Sequence, residues 1–178
     1  MKWEHFRKLP DESRLWIHGF RNPLPNLTQG LIHSCLSEFL SRWQSHGTPV
    51  QAAAIIDTDR FLITAAHCPG GVSGCSMDSY GRALKSLREE HQVDALETDL
   101  VFYVRSDGEI EAVDHLDFFS LVEQGKVTED TLVFDTLLQA LGDLRQGRFL
   151  KPFKDSWHAR TYPVAPDLRS EGEAPSLP

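Results

Sequence analysis

Cys75 stands at the centre of the densest group of reactive side chains in the sequence. In the run 64–79, His67, Cys68, Cys75 and Ser76 flank the glycine-rich stretch Pro69-Gly70-Gly71-Val72-Ser73-Gly74. Ser76 reads as the cap of a helix over about 77–91, with Tyr80, Ala83, Leu84 and Leu87 as its buried stripe. That puts Cys75 immediately before a helix, where unpaired amides and the positive end of the dipole stabilise a thiolate. Nucleophilic use of such a thiol needs a base. The candidates are His67 upstream and His158 in Ser156-Trp157-His158, with Ser76 and the helix amides as anion stabilisers. The backbone around Gly70, Gly71, Ser73 and Gly74 can alternatively cradle an anionic ligand. A third reading makes these glycines shape a strand-to-helix turn, with Cys75 packed under it as a small apolar residue.

Thr64-Ala65-Ala66-His67-Cys68, followed by Cys75-Ser76-Met77-Asp78-Ser79, resembles the histidine and serine motifs of chymotrypsin-like proteases. Spacing excludes that chemistry. His67 and Ser76 are nine residues apart, whereas that triad draws its histidine and serine from separate barrels roughly 140 residues apart. The serine segment also lacks the paired glycines of an oxyanion-hole turn. Eight histidines include no HxH, HxxxH or CxxC spacing, so no metal site is expected. With no GxxxxGK[ST] and no GxGxxG there is no phosphate loop and no dinucleotide fingerprint, and no cofactor is expected.

The whole chain bounds the answer further. Its 178 residues are 40% hydrophobic and 25% charged, the composition of an ordinary globular domain. A formal charge of −8, without a compensating basic stripe, argues against nucleic acid as a partner. No apolar run is long enough to span a bilayer, so membrane insertion is not expected. A polar start without a signal-peptide core and three cysteines, an odd number, read as a cytoplasmic protein with free thiols.

The elements that must position Cys75 come in the order β-α-β-β-α-β. A strand over 14–20 precedes a helix over 27–45, with Asn26 and Gln29 as a capping box and Gly47 as the left-handed residue past its end. Strands over 50–56 and 60–66 meet at Asp57-Thr58-Asp59, and the helix over 77–91 follows. Strands over 100–105 and 109–113 flank Ser106-Asp107-Gly108. The expected fold is α+β, with a ferredoxin-like antiparallel sheet over about 14–105 and two helices on one face. An extension over about 107–162 completes a single domain over 1–162, and 163–178 is expected to be a disordered, proline-rich tail. Within the extension, a short helix over 117–123 ended by Gly125, then Thr131-Leu132-Val133-Phe134, loosely resembles the small GYF-like modules. A further helix is expected over 136–146. Trp16 and Trp43 read as core; Trp157, Phe149 and Phe153 read as core packing of the C-terminal segment, or as a partner-binding edge.

Arg14-Leu15-Trp16-Ile17, Trp43-Gln44-Ser45-His46-Gly47, Ser73-Gly74-Cys75-Ser76-Met77-Asp78-Ser79, Thr131-Leu132-Val133-Phe134-Asp135 and Ser156-Trp157-His158 together resemble an uncharacterised family of small bacterial proteins. Members often carry the label "ABC transporter ATPase", to which the missing Walker A loop lends no support. The resemblance implies no activity. Two functions stay open: a non-catalytic binding or regulatory protein for a small molecule or protein partner, including a homodimer through an exposed sheet edge or face, and a thiol enzyme or redox-responsive protein using Cys75.

Overall fold

A computed structural model describes residues 3–163; the expected tail over 163–178 lies, from residue 164 on, outside the described residues. The fold is mixed α and β, and its sheets are antiparallel. Strands β1 (Arg14–Gly19), β4 (Gln51–Asp57) and β5 (Phe61–His67) form one sheet in the order β1-β5-β4. Helices α1 (Asn26–Arg42) and α2 (Gly74–His91) pack on one face of it. Strands β6 (Leu100–Val104), β7 (Ile110–Asp114), β8 (Leu132–Phe134) and β9 (Leu150–Pro152) form a second sheet in the order β7-β6-β8-β9. A two-residue hairpin, β2 (Gln44–Ser45) and β3 (Thr48–Pro49), follows α1.

Alternation along the strands explains the layering. In β5, Phe61, Ile63 and Ala65 point to one face and Leu62 and Ala66 to the other, and all are buried. The first set meets Leu100, Phe102 and Phe134 of the second sheet; the second set meets the helices. β6 alternates likewise, with Leu100 and Phe102 facing the first sheet and Val101 and Tyr103 facing Phe118 and Val122 of α3 (His115–Glu123). A strand apolar on both faces needs cover on both, and β6 has it, from the first sheet on one side and α3 on the other. The order is therefore helices, sheet, sheet, helices. Phe61 anchors the middle, its ring centroid 4.9 Å from Phe102, 4.7 Å from Phe134 and 5.0 Å from Phe149.

Three strands keep the mutual order of a ferredoxin-like sheet, but the fourth place, beside β1, is not filled by β6. It holds a single bridge between Arg14 and Ala140, and Leu15 N donates to Gln139 O at 2.9 Å. This also corrects the helix expected over 136–146. Only α4 (Leu141–Arg145) forms, because Thr136 and Leu137 make a turn, with Asp135 Oδ1 accepting from Leu137 N, and 139–140 then lies beside β1. Helix ends differ as well: α1 begins at Asn26 itself, without a side-chain cap, and α3 begins at His115. α1 stops at Arg42, and His46 and Gly47, both at positive φ, turn the β2–β3 hairpin rather than closing a helix. α2 begins at Gly74, earlier than expected, because its cap is Ser73 and not Ser76. The expected core aromatics are in place: Trp43, Phe149 and Phe153 are buried, and Trp16 and Trp157 pack against core clusters.

Candidate functional site

The 68–73 loop leaves β5 at His67 and enters α2 after two left-handed glycines, Gly70 (φ 81°) and Gly71 (φ 91°), with Gly71 N donating to Cys68 O at 2.8 Å. Such φ values suit a residue without Cβ. Ser73 then caps the helix, its Oγ accepting from Ser76 N at 3.3 Å. The β2–β3 hairpin clamps this loop. Ser45 Oγ accepts from Ser73 N at 3.0 Å and donates to Gly71 O at 3.4 Å; Ser76 Oγ donates to Gln44 O at 2.9 Å; Trp43 Nε1 donates to Ser76 O at 3.0 Å. Tyr80, one turn on, donates from its buried hydroxyl to Thr64 Oγ1 at 2.9 Å, and burial pushes that phenol well above its ordinary range.

These bonds give most of the Ser73-Gly74-Cys75-Ser76 run a structural duty. Ser76 is 4% exposed, with hydroxyl and amide both engaged. Cys75, in the first turn of α2, is exposed, whereas Cys35 is half-buried and Cys68 buried; all three are free thiols. His67 lies at the end of β5 and lines a cleft of about 440 Å³ with Glu12, Arg14, Gly70, Gly71 and Met77, a lining that does not include Cys75. His158 sits in another cluster altogether. Its ring stacks on Trp157 at 3.9 Å, its Nδ1 is 3.2 Å from Ser156 Oγ, and Phe118 of α3 packs beside it. Burial pushes its imidazole down to about 4, so it is neutral at physiological pH. Among the described residues, no hydrogen bond joins Cys75 to a histidine.

A different thiol and imidazole do approach each other across α1 and α2: Cys35 Sγ lies 3.9 Å from His91 Nε2. Sequence spacing gave no hint of the pair, since the two residues are 56 positions apart. Glu90 Oε2 approaches the same Nε2 at 4.0 Å. A catalytic relay needs the base held at one ring nitrogen and working at the other, and here both neighbours meet one nitrogen. Among the described residues there is no group of three or more His, Cys, Asp or Glu placed to hold a metal ion, and no helix long and apolar enough to cross a membrane.

A larger cleft, about 790 Å³, lies in the second sheet where sequence reading placed no site. β6 and β8 pair only at Tyr103 and Val133, so the strands part there into a wedge. Its walls carry Val104, Leu121 and Leu132 beside Tyr103, Arg105, Ser106, Glu111, Lys126, Thr128, Thr131 and Asp130, the last paired with Lys154 at 2.6 Å. Tyr103 OH donates to Glu111 Oε2 at 3.1 Å, and burial, reinforced by that carboxylate, pushes the phenol up to about 12. Arg105 is shared between Asp107 and Glu111, while Lys126 has no ion-pair partner among the described residues. The wedge thus offers apolar surface, hydroxyls and one uncommitted cation. The chain matches no family model, no curated protein and no solved structure in the comparisons made with each.

Proposed function

We propose that this chain is a non-catalytic binding protein whose ligand seat is the wedge between β6 and β8, and that the ligand is an extended polypeptide segment. The parting of β6 from β8 after a single residue pair carries this reading. Neighbouring strands that diverge leave main-chain groups and alternating side chains along two walls, which is what a bound extended segment uses. A cleft of about 790 Å³ falls within the usual range of ligand sites, roughly 300–1,000 Å³. Leu121 and Leu132 supply apolar contact, and Lys126 favours an acidic group on the ligand.

Selection of phage-displayed random peptides against the full chain tests this. Enriched sequences are expected to bear an acidic residue near an apolar one and to lose binding to Leu132→Asp, while Cys75→Ala leaves binding unchanged. Peptides that bind Leu132→Asp as well as the parent would place the site elsewhere.

A second reading rests on one observation: Cys75 is the exposed member of the three thiols. Iodoacetamide alkylation of the native chain, resolved by peptide mass spectrometry, separates the two. Modification of Cys75 no faster than that of an unstructured cysteine peptide fits the binding reading. Much faster, selective modification favours a thiol enzyme or redox-responsive protein.

A further inference from the structure

β4 is an edge strand. β5 pairs along one side of all seven residues Gln51–Asp57, and no backbone hydrogen bond among the described residues reaches the outer side of 51–56. Edge strands are ordinarily protected by lysine, proline, a bulge or a covering segment; Gln-Ala-Ala-Ala-Ile-Ile-Asp contains none of the first three, and the neighbouring turn Glu4–Phe6 joins the core on the Ala53 and Ile55 face. The strand's order of sizes and charges is instead self-complementary. If a second copy runs antiparallel with Ala54 opposite Ala54, then Ile55 falls opposite Ala53 and Ile56 opposite Ala52. Each branched side chain thereby meets a small one. The same register places Asp57 opposite Gln51, whereas a parallel pairing would set Asp57 against Asp57.

The surroundings of the edge fit the same arrangement. A two-fold axis perpendicular to the sheet keeps both copies' helices on one face. On that face, a groove of about 300 Å³ lies between β4 and α1, lined by Gly30, His33 and Ser37 on one side and Ala54 and Ile56 on the other. A Cβ built on Gly30 would meet nothing within 4 Å. The partner's Ala52, Ala54 and Ile56 emerge on that side.

We propose that the chain forms an isologous homodimer through β4, joining two three-stranded sheets into one antiparallel sheet of six strands about a two-fold axis at Ala54. The proposal is independent of the peptide-binding wedge, which lies in the other sheet.

Sedimentation analysis of the full chain over a wide concentration range tests it. A reversible dimer is expected. Gln51→Asp, at an exposed position, sets like charges opposite each other twice per dimer and is expected to weaken association about two- to thirtyfold. Directly opposite strand residues lie roughly 4.5–5.5 Å apart at Cα, within disulfide reach. Ala54→Cys is therefore expected to give an oxidised dimer whose cross-link maps to 54–54 by peptide mass spectrometry, absent from the parent chain. A monomer at all concentrations, an unchanged Gln51→Asp affinity, or a dimer without the 54–54 link would each overturn the proposal.

Discussion

Acidification from pH 7 to pH 5 is predicted to cost this fold about 4 kcal/mol through two histidines, the buried His158 and the half-buried His18, whose Nε2 is enclosed. His18, on β1, faces Tyr80 with ring centroids 5.9 Å apart, and its Nε2 is buried with no hydrogen-bond partner. Burial pushes its imidazole from 6.5 to about 4, against a smaller opposing effect of a hydrogen bond with the Ala95 backbone. His158 is driven from 6.5 to about 4 by burial, with Asp135 opposing and His115 and Lys151 adding to the fall. A histidine whose folded value lies below its unfolded one binds its proton preferentially in the unfolded chain. Its contribution to stability is complete above about pH 6.5 and is lost as pH falls toward 4. By pH 5 each histidine has given up about 2 kcal/mol, and by pH 4 roughly 3 kcal/mol. Together these losses rival the 5–15 kcal/mol that holds a typical domain folded. Carboxylates titrate mainly below this window, so the interval from pH 7 to pH 5 isolates the imidazoles. Urea unfolding followed by tryptophan fluorescence across that interval is the assay. His18→Gln and His158→Gln should each remove about half of the slope, whatever offset they bring to stability itself. A flat profile from pH 7 to pH 5, or a slope that neither variant changes, refutes the reasoning.

Gly19→Ala should destabilise by about 1–3 kcal/mol, because a Cβ there would lie 2.2 Å from Phe102 Cζ in the packing between the sheets. Adding Phe102→Leu should recover part of that loss in the same urea titration. Ser76→Ala should cost about 1–2 kcal/mol by leaving Gln44 O without its hydroxyl donor. Cys75→Ala, one residue away and exposed, should change stability by less than about 0.5 kcal/mol; equal costs for the two variants would contradict the division of labour drawn here for the 73–76 run.

Much of the first sheet was legible because its signals are local. The run Ala53-Ile55 and Phe61-Ile63 around Asp57-Thr58-Asp59 is a hairpin, and Thr58 and Asp59 take the positive φ that its turn requires. Gly108 and Gly125, both at positive φ, marked the β6–β7 turn and the end of α3. The misreadings came from partners remote in sequence. Leu137, Leu138, Leu141 and Leu144 have helical spacing, yet 136–137 turns and 139–140 is recruited as a neighbour of β1. Gly47 looked like a helix terminator, yet the β2–β3 hairpin it turns is needed to hold Ser73 and Ser76. The residue types of the run 64–79 suggest reactivity, and types alone do not reveal that Ser76 and Ser73 bond inward. The wedge beside Tyr103 carries no motif at all, because it arises from two strands diverging.

The seam between the chain's ends has a consequence for how the protein is made. Arg145 Nη2 donates to Phe6 O at 2.8 Å and Leu9 O at 2.9 Å, Leu141 N donates to Ser13 O at 3.0 Å, and Gly142 N donates to Asp11 O at 2.9 Å. These links close loops of 139 and 136 residues in the two arginine cases. During synthesis the outer edge of β1 must therefore stay unsealed until 139–145 leaves the ribosome, on the order of ten seconds later at ordinary elongation rates. Contacts of such sequence separation also slow folding in the free chain. The nascent first sheet thus passes through an interval with both of its edge strands, β1 and β4, open, and it is in that interval that the chain is most exposed to co-translational aggregation.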